Sequence, residues 1–164
     1  MATAGATLLA MTIVCIDSPV GRLALESDGE ALASVRWLSA GESVRARRRS
    51  PVLSQAARQL ERYFAGKLRC FDLPLAIGGT AFQQRVWTMM RDIPFGETAT
   101  YGGIAMALGS GPRAVGMACG RNPLPIVVPC HRVLGSGGTE GGYSGGRGLA
   151  TKRQLLALEG VVLR

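Results

Sequence analysis

The chain has 164 residues, enough for a compact unit that buries roughly 70% of its unfolded surface without a disulfide or metal staple. Hydrophobic residues at 47% and charged residues at 18% exclude a disordered, collagenous or coiled-coil chain, and no apolar run reaches the roughly 18 residues of a membrane span. A balance of 19 basic against 11 acidic residues leaves a net charge of +8, which suits a polyanionic partner. The excess is +3 over residues 1–78 and +5 over residues 79–164. All the basic residues but Lys67 and Lys152 are arginine, a residue suited to phosphate forks, although compositional bias explains the same count equally well.

From Thr7 to Trp37 the chain alternates short β-branched runs with turns at Asp17-Ser18-Pro19 and Asp28-Gly29, the pattern of a three-stranded antiparallel meander. A polar loop from Gly41 to Ser50 carries Arg45, Arg47, Arg48 and Arg49, read first as a solvated loop and second as a nucleic-acid contact. Ser50 and Pro51 mark a helix start; Val52, Leu53, Ala56, Ala57, Leu60, Tyr63 and Phe64 form its apolar stripe, and Gly66 its stop. Leu68 to Ile77 is extended, and Gly78-Gly79 reads as a hinge between a unit 1–78 and a unit 79–164.

In the second unit, Thr80-Ala81-Phe82-Gln83 is a capping box opening a helix that ends before Pro94. Thr100 to Leu108, stopped by Gly109, and Pro112 to Gly120 are two short helices across a tight turn, the outline of a helix-turn-helix. Ile126-Val127-Val128 reads as an apolar strand ending at Pro129. A glycine-rich loop follows from Gly135 to Gly148, where backbone can approach a ligand closely, and a last helix runs from Leu149 to Glu159.

Four scattered cysteines and one histidine lack the paired spacing of a structural zinc site, so no metal is expected. Met1 to Cys15 has no basic leader region, and reduced thiols fit a cytoplasmic setting. The sole histidine, His131, adjoins Cys130 just after Pro129 and just before Arg132. That setting points to a thiol whose pKa is lowered by His131 and Arg132. Neighbouring side chains diverge on strand and helix alike, so contact between Cys130 and His131 requires a turn or a bridging water. A small core cysteine is the competing reading.

The block Pro129-Cys130-His131-Arg132-Val133, with Asn122-Pro123 before it and Gly142-Tyr143-Ser144-Gly145-Gly146 after it, resembles the O6-alkylguanine-DNA alkyltransferases, or methylated-DNA-protein-cysteine methyltransferases. Phe82-Gln83-x-x-Val86-Trp87, Ile93-Pro94-x-Gly96, Tyr101-x-x-Ile104-Ala105 and Arg113-Ala114-Val115-Gly116 extend the resemblance over residues 80–160. Asp17-Ser18-Pro19-x-Gly21 and Tyr63-Phe64-x-Gly66 carry it weakly into the first half.

The resemblance implies an α/β fold. It joins an N-terminal ribonuclease-H-like antiparallel sheet with helix to a C-terminal helical, winged helix-turn-helix-like unit. It also implies stoichiometric transfer of an alkyl group from guanine O6, and by extension thymine O4, to Cys130, which inactivates the protein. No cofactor is implied. His131 acts as base through a water, Glu159 orients the imidazole, Asn122 pins the turn that carries Cys130, and Tyr101 donates toward the departing base. The flipped base is met by the main chain of Cys130 and Val133, by Ser144 and by the pocket wall at Tyr143. Arg113 replaces the base in the stack, and the small residues Ala114 and Gly116, with Met117, lie in the minor groove of double-stranded DNA. A monomer is implied, with cooperativity on DNA left open. Relative to the family, the turn 108–113 looks about two residues short and the stretch 146–152 about two long. Two rivals remain: a DNA-binding lesion sensor without transfer, and a Cys-His hydrolase that turns over.

Overall fold

The computed structural model describes residues 11–45 and 50–163. Strands β1 (Thr12–Ile16), β2 (Leu23–Ser27) and β3 (Leu32–Trp37) form the expected antiparallel meander in the order β1-β2-β3. Its register pairs Val14 with Leu25 and Leu25 with Val35, so three buried side chains stack on one face. The expected start at Thr7, and Arg47 to Arg49 of the polar loop, lie outside the described residues; Arg45 is exposed.

Helix α1 (Pro51–Phe64) covers that face. Ser50 caps it by accepting from the Leu53 amide, Pro51 occupies the first turn, and Val52, Leu53, Ala56, Ala57, Leu60 and Tyr63 are buried. The free edge of β3 does not stay free. Leu32 exchanges main-chain bonds with Pro74 and Ala76, and the Val35 amide donates to the Pro123 carbonyl at 2.9 Å. The first sheet is thereby tied directly to the segment that leads to Cys130.

Helix α2 (Ala81–Arg91) opens with the Thr80–Gln83 capping box, both of its bonds being present. Trp87 on this helix is buried and donates its ring N–H to the Ala118 carbonyl at 2.8 Å, which locks α2 to α4. At Gly79, φ is +105° and a Cβ would stand 2.7 Å from the Trp87 ring. The glycine there is required by conformation and by fit.

Helices α3 (Tyr101–Leu108) and α4 (Pro112–Gly120) form the expected pair, with Thr100 as one cap and Gly109 left-handed at φ 63°. Strands β4 (Ala99–Thr100) and β5 (Val133–Leu134) make a short parallel pair, and helix α5 (Leu149–Leu158) closes the chain with Glu159 as its cap. One buried cluster runs from Val14 through Leu60, Trp87, Val115 and Ile126 to Leu155, so both halves share a core.

One expectation is corrected. Ile126-Val127-Val128 is no strand but a tight turn, its only ladder contact being an isolated bridge between Pro125 and Val128. Ile126 takes φ +75°, a costly conformation for a β-branched residue. Apolar content reflected burial here rather than strand geometry, because all three side chains are buried without a partner strand. No helix among the described residues is long and apolar enough to cross a membrane.

Candidate active site

The turn 122–128 delivers Cys130 to a 3-10 turn spanning Cys130–Arg132. Asn122 holds that turn from both sides. Its amide donates to the Val128 carbonyl at 2.7 Å and its carbonyl accepts from the Leu124 amide at 2.9 Å. It is therefore more than a helix-end cap.

The 3-10 turn separates the three consecutive side chains. Cys130 borders a cleft of about 840 Å³ together with Tyr101, Arg113, Gly116, Met117, Tyr143 and Ser144. A purine fits within such a volume. His131 points the other way and is fully buried, its Nε2 lying 2.8 Å from Glu159 Oε1, while its Nδ1 is buried with no protein partner among the described residues. Arg132 forks onto Glu159, Nε to Oε2 and Nη2 to Oε1, both at 2.9 Å, and donates to the Ile93 carbonyl at 2.6 Å. The Tyr63 hydroxyl adds a bond to Glu159 Oε1 at 2.7 Å.

These contacts set the charges. Burial alone would raise the Glu159 carboxyl, but bonds from His131, Arg132 and Tyr63 outweigh it and hold the group at about 2. Burial lowers His131, against the opposing pull of Glu159, so the imidazole is neutral at physiological pH. Burial also pushes the Cys130 thiol up, and Asn122, the Lys152 ammonium and the Tyr143 hydroxyl pull it part of the way back. The expectation that His131 and Arg132 lower the Cys130 pKa is corrected: the thiol lies above its ordinary value, the imidazole beside it is neutral, and the guanidinium is committed to Glu159. The cation that acts on the thiol is Lys152, whose ammonium donates to the Val133 carbonyl at 2.7 Å and to the Gly142 carbonyl at 3.2 Å.

The remaining expected residues fall into two groups. The Tyr101 hydroxyl reaches the Gly142 carbonyl at 3.4 Å across the cleft, and burial lifts its pKa to about 12, so it holds its proton. Arg113 is exposed in the first turn of α4, and Met117 is 61% exposed at the mouth of the cleft. Ala114 and Val133 do not border it. The Val133 amide bonds the Cys130 carbonyl, its own carbonyl is held by Lys152, and the Cys130 amide bonds the Val128 carbonyl. Cys119 also borders the cleft, but burial and the nearby Cys130 lift its thiol to about 12. Among the described residues no cluster of three or more His, Cys, Asp or Glu side chains is placed to hold a metal.

Sequence reasoning passed over Lys152 and the hydroxyl of Tyr63. A signal for Lys152 existed: with Leu155, Leu156 and Glu159 it follows the i, i+3, i+4, i+7 spacing of one helical face. A lysine on an apolar stripe needs a buried acceptor. Tyr63 had no such signal, because its ring alone accounts for its place on the α1 stripe.

Comparison with known proteins agrees with this geometry. Residues 11–77 match the family profile of the 6-O-methylguanine DNA methyltransferase ribonuclease-like domain, and residues 81–161 that of its DNA binding domain. A methylated-DNA–protein-cysteine methyltransferase of Methanosarcina acetivorans is 43% identical over 156 residues, covering 92% of this chain and 99% of that protein. One of Mycobacterium bovis is 46% identical over 149 residues, covering 88% and 89%. The crystal structure of Mycobacterium tuberculosis OGT in complex with DNA superposes with a TM-score of 0.78 at 48% identity, over 88% of this chain and 90% of that one. The O6-methylguanine methyltransferase of the same organism gives 0.80 at 44%, over 91% and 92%. The chain belongs to the methylated-DNA–protein-cysteine methyltransferase family.

Proposed function

We propose that this protein repairs DNA by moving an alkyl group from guanine O6 to its own Cys130, once per molecule. The carrying observation is the Cys130 thiol bordering a purine-sized cleft, with a neutral, carboxylate-anchored imidazole next to it in the chain. His131 takes the thiol proton through a bridging water. The thiolate attacks the alkyl carbon, an S–C bond forms as the C–O6 bond breaks, and Tyr101 supplies a proton to the departing base. A thioether has no easy leaving group, so turnover ends there. Guanine O6 is the principal substrate and thymine O4 a secondary one.

A protein thiol cannot reach O6 in line within a duplex, so the nucleotide swings out into the cleft at a cost of a few kcal/mol. Helix α4 enters the minor groove, where Gly116 permits close approach and Arg113 fills the gap left in the stack. Ala114, off the cleft, faces the groove on the same helix. Ser144 binds the base edge, joined by the second lone pair of the Cys130 carbonyl, while Val133, off the cleft, holds the turn beneath it. The residues 79–164 thus carry the chemistry and residues 1–78 brace it, in a monomer.

The test is to mix the protein with duplex DNA carrying O6-methylguanine and weigh it. The expected result is one added methyl per chain on Cys130, absent in Cys130→Ala. An unmodified protein that binds the lesion would make it a sensor, and repeated turnover of an ester or amide would make it a hydrolase. A parallel duplex carrying O4-methylthymine is expected to react more slowly.

A further inference from the structure

Tyr63 sits on α1 and donates to a carboxylate 96 positions away in the chain, with both side chains buried. Its ring is edge-on to Phe95, centroids 6.1 Å apart at 82°, and it also meets Phe64 and Phe71. Phe95 in turn lies under the Arg132 guanidinium at 5.9 Å. Packing of this kind is served by phenylalanine. A buried hydroxyl costs stability unless it is bonded, so the oxygen of Tyr63 has a specific use.

That use is visible at Glu159. Its Oε1 accepts from His131, Arg132 and Tyr63, while Oε2 accepts from Arg132 and, at 3.5 Å, from the Gly96 amide. Of these donors, only Tyr63 comes from the N-terminal half. We propose that Tyr63 is a positioning residue for the Cys130 thiol: its hydroxyl fixes the Glu159 carboxylate that fixes the His131 imidazole. The N-terminal half therefore completes the reacting group rather than only bracing it. The inference rests on the alkyl-transfer reading for its substrate, but not for its effect on the thiol.

The sign of the effect follows from the sharing of Oε1. Without the hydroxyl, the carboxylate loses one of three donors on that oxygen, turns more freely, and holds the imidazolium proton more tightly. Neutral His131 is the form that accepts the thiol proton, so the acid limb of thiol reactivity moves to higher pH.

The experiment uses the full chain and two rates followed across pH by mass: methyl transfer from O6-methylguanine duplex DNA, and carbamidomethylation of Cys130 by iodoacetamide. Tyr63→Phe is expected to slow both by at least about tenfold near neutrality. It should also raise the acid limb by about half a pH unit or more, with DNA affinity unchanged. The loss should vanish when Tyr63→Phe is combined with Glu159→Gln. Incorporating 3-fluorotyrosine at position 63 keeps the fold and strengthens the donor, so it should shift the limb the opposite way. Rates and limb unmoved in either protein, or a Tyr63→Phe loss that persists in the Glu159→Gln background, would overturn the proposal. A wild-type protein that takes no methyl from the lesion, yet shows the iodoacetamide shifts, would sink the alkyl-transfer reading and leave this one standing.

Discussion

The Lys152 ammonium donates to the Val133 carbonyl at 2.7 Å inside the protein, tying α5 to β5 immediately beyond the 3-10 turn that carries Cys130. Its second bond, to the Gly142 carbonyl at 3.2 Å, fastens the glycine-rich loop to the same point. One cation therefore ties Gly142 of the cleft wall to β5 and favours the thiolate. Lys152→Met keeps the length and the apolar stem but removes both bonds and the charge. The thiol is expected to move further up, and methyl transfer at pH 7.5 to fall about tenfold for each unit of that shift. Raising the pH should restore much of the rate, as the thiolate then forms without help. A variant as fast as the wild type at pH 7.5 would remove Lys152 from the site.

Arg132 supplies the only salt bridge by which a permanently charged side chain holds Glu159 among the described residues. Removing it leaves a carboxylate buried against a neutral imidazole. Arg132→Met is expected to cost about 3 kcal/mol or more, a fall in melting temperature of about 10 °C for a chain of this size. Arg132→Lys keeps the charge but cannot span both oxygens and the Ile93 carbonyl at once, so its loss should be smaller yet clear. Calorimetry of the two variants checks the order, and a lysine variant as stable as the wild type would show that charge alone suffices.

Stability should fall in acid through two groups of the same sign. The folded protein keeps Glu159 charged down to about pH 2, whereas the unfolded chain protonates it near its ordinary value of 4.5. The unfolded state binds more protons in that window, so stability present above it is lost as pH falls through it. His131 acts higher up. Burial lowers its folded value below 6.5, so the unfolded chain takes that proton first on acidification. The urea midpoint is expected to decline from about pH 6.5 downward, and Glu159→Gln should flatten the part below about 4.5. A midpoint that rises on acidification would contradict both assignments.

Local chemistry made the outer frame legible in the sequence. Ser50, Pro51, the Thr80–Gln83 box and Gly109 each settle a helix end within a few residues, and the structure places these ends where their side-chain chemistry requires. The contact between His131 and Glu159 was legible through resemblance. What escaped was set by tertiary contact. The run Ile126 to Val128 became a turn because Asn122 pins its ends and the surrounding core, not a neighbouring strand, receives its side chains. Arg132 was placed beside the thiol by its position in the chain, and a 3-10 turn sent it to Glu159 instead. Charges adjacent in sequence say little about which atom they serve until the turn between them is known.

Arg113 separates recognition of DNA from the chemistry of the thiol. It is exposed in the first turn of α4 at the edge of the cleft and makes no salt bridge among the described residues. Nothing in the fold depends on its guanidinium, so Arg113→Ala should leave the melting temperature within about 2 °C of the wild type. If it occupies the space of the displaced base, its loss removes the group that keeps the nucleotide out of the stack, and reinsertion then competes with transfer. Methyl transfer from duplex DNA is expected to fall by about tenfold to a hundredfold, in line with the few kcal/mol of unstacking. The reaction with free O6-benzylguanine needs no extrusion and should proceed at the wild-type rate. Parallel rate measurements on the two substrates decide the matter: equal losses on both would place Arg113 in the chemistry of the cleft, and no loss on either would leave it a solvated side chain.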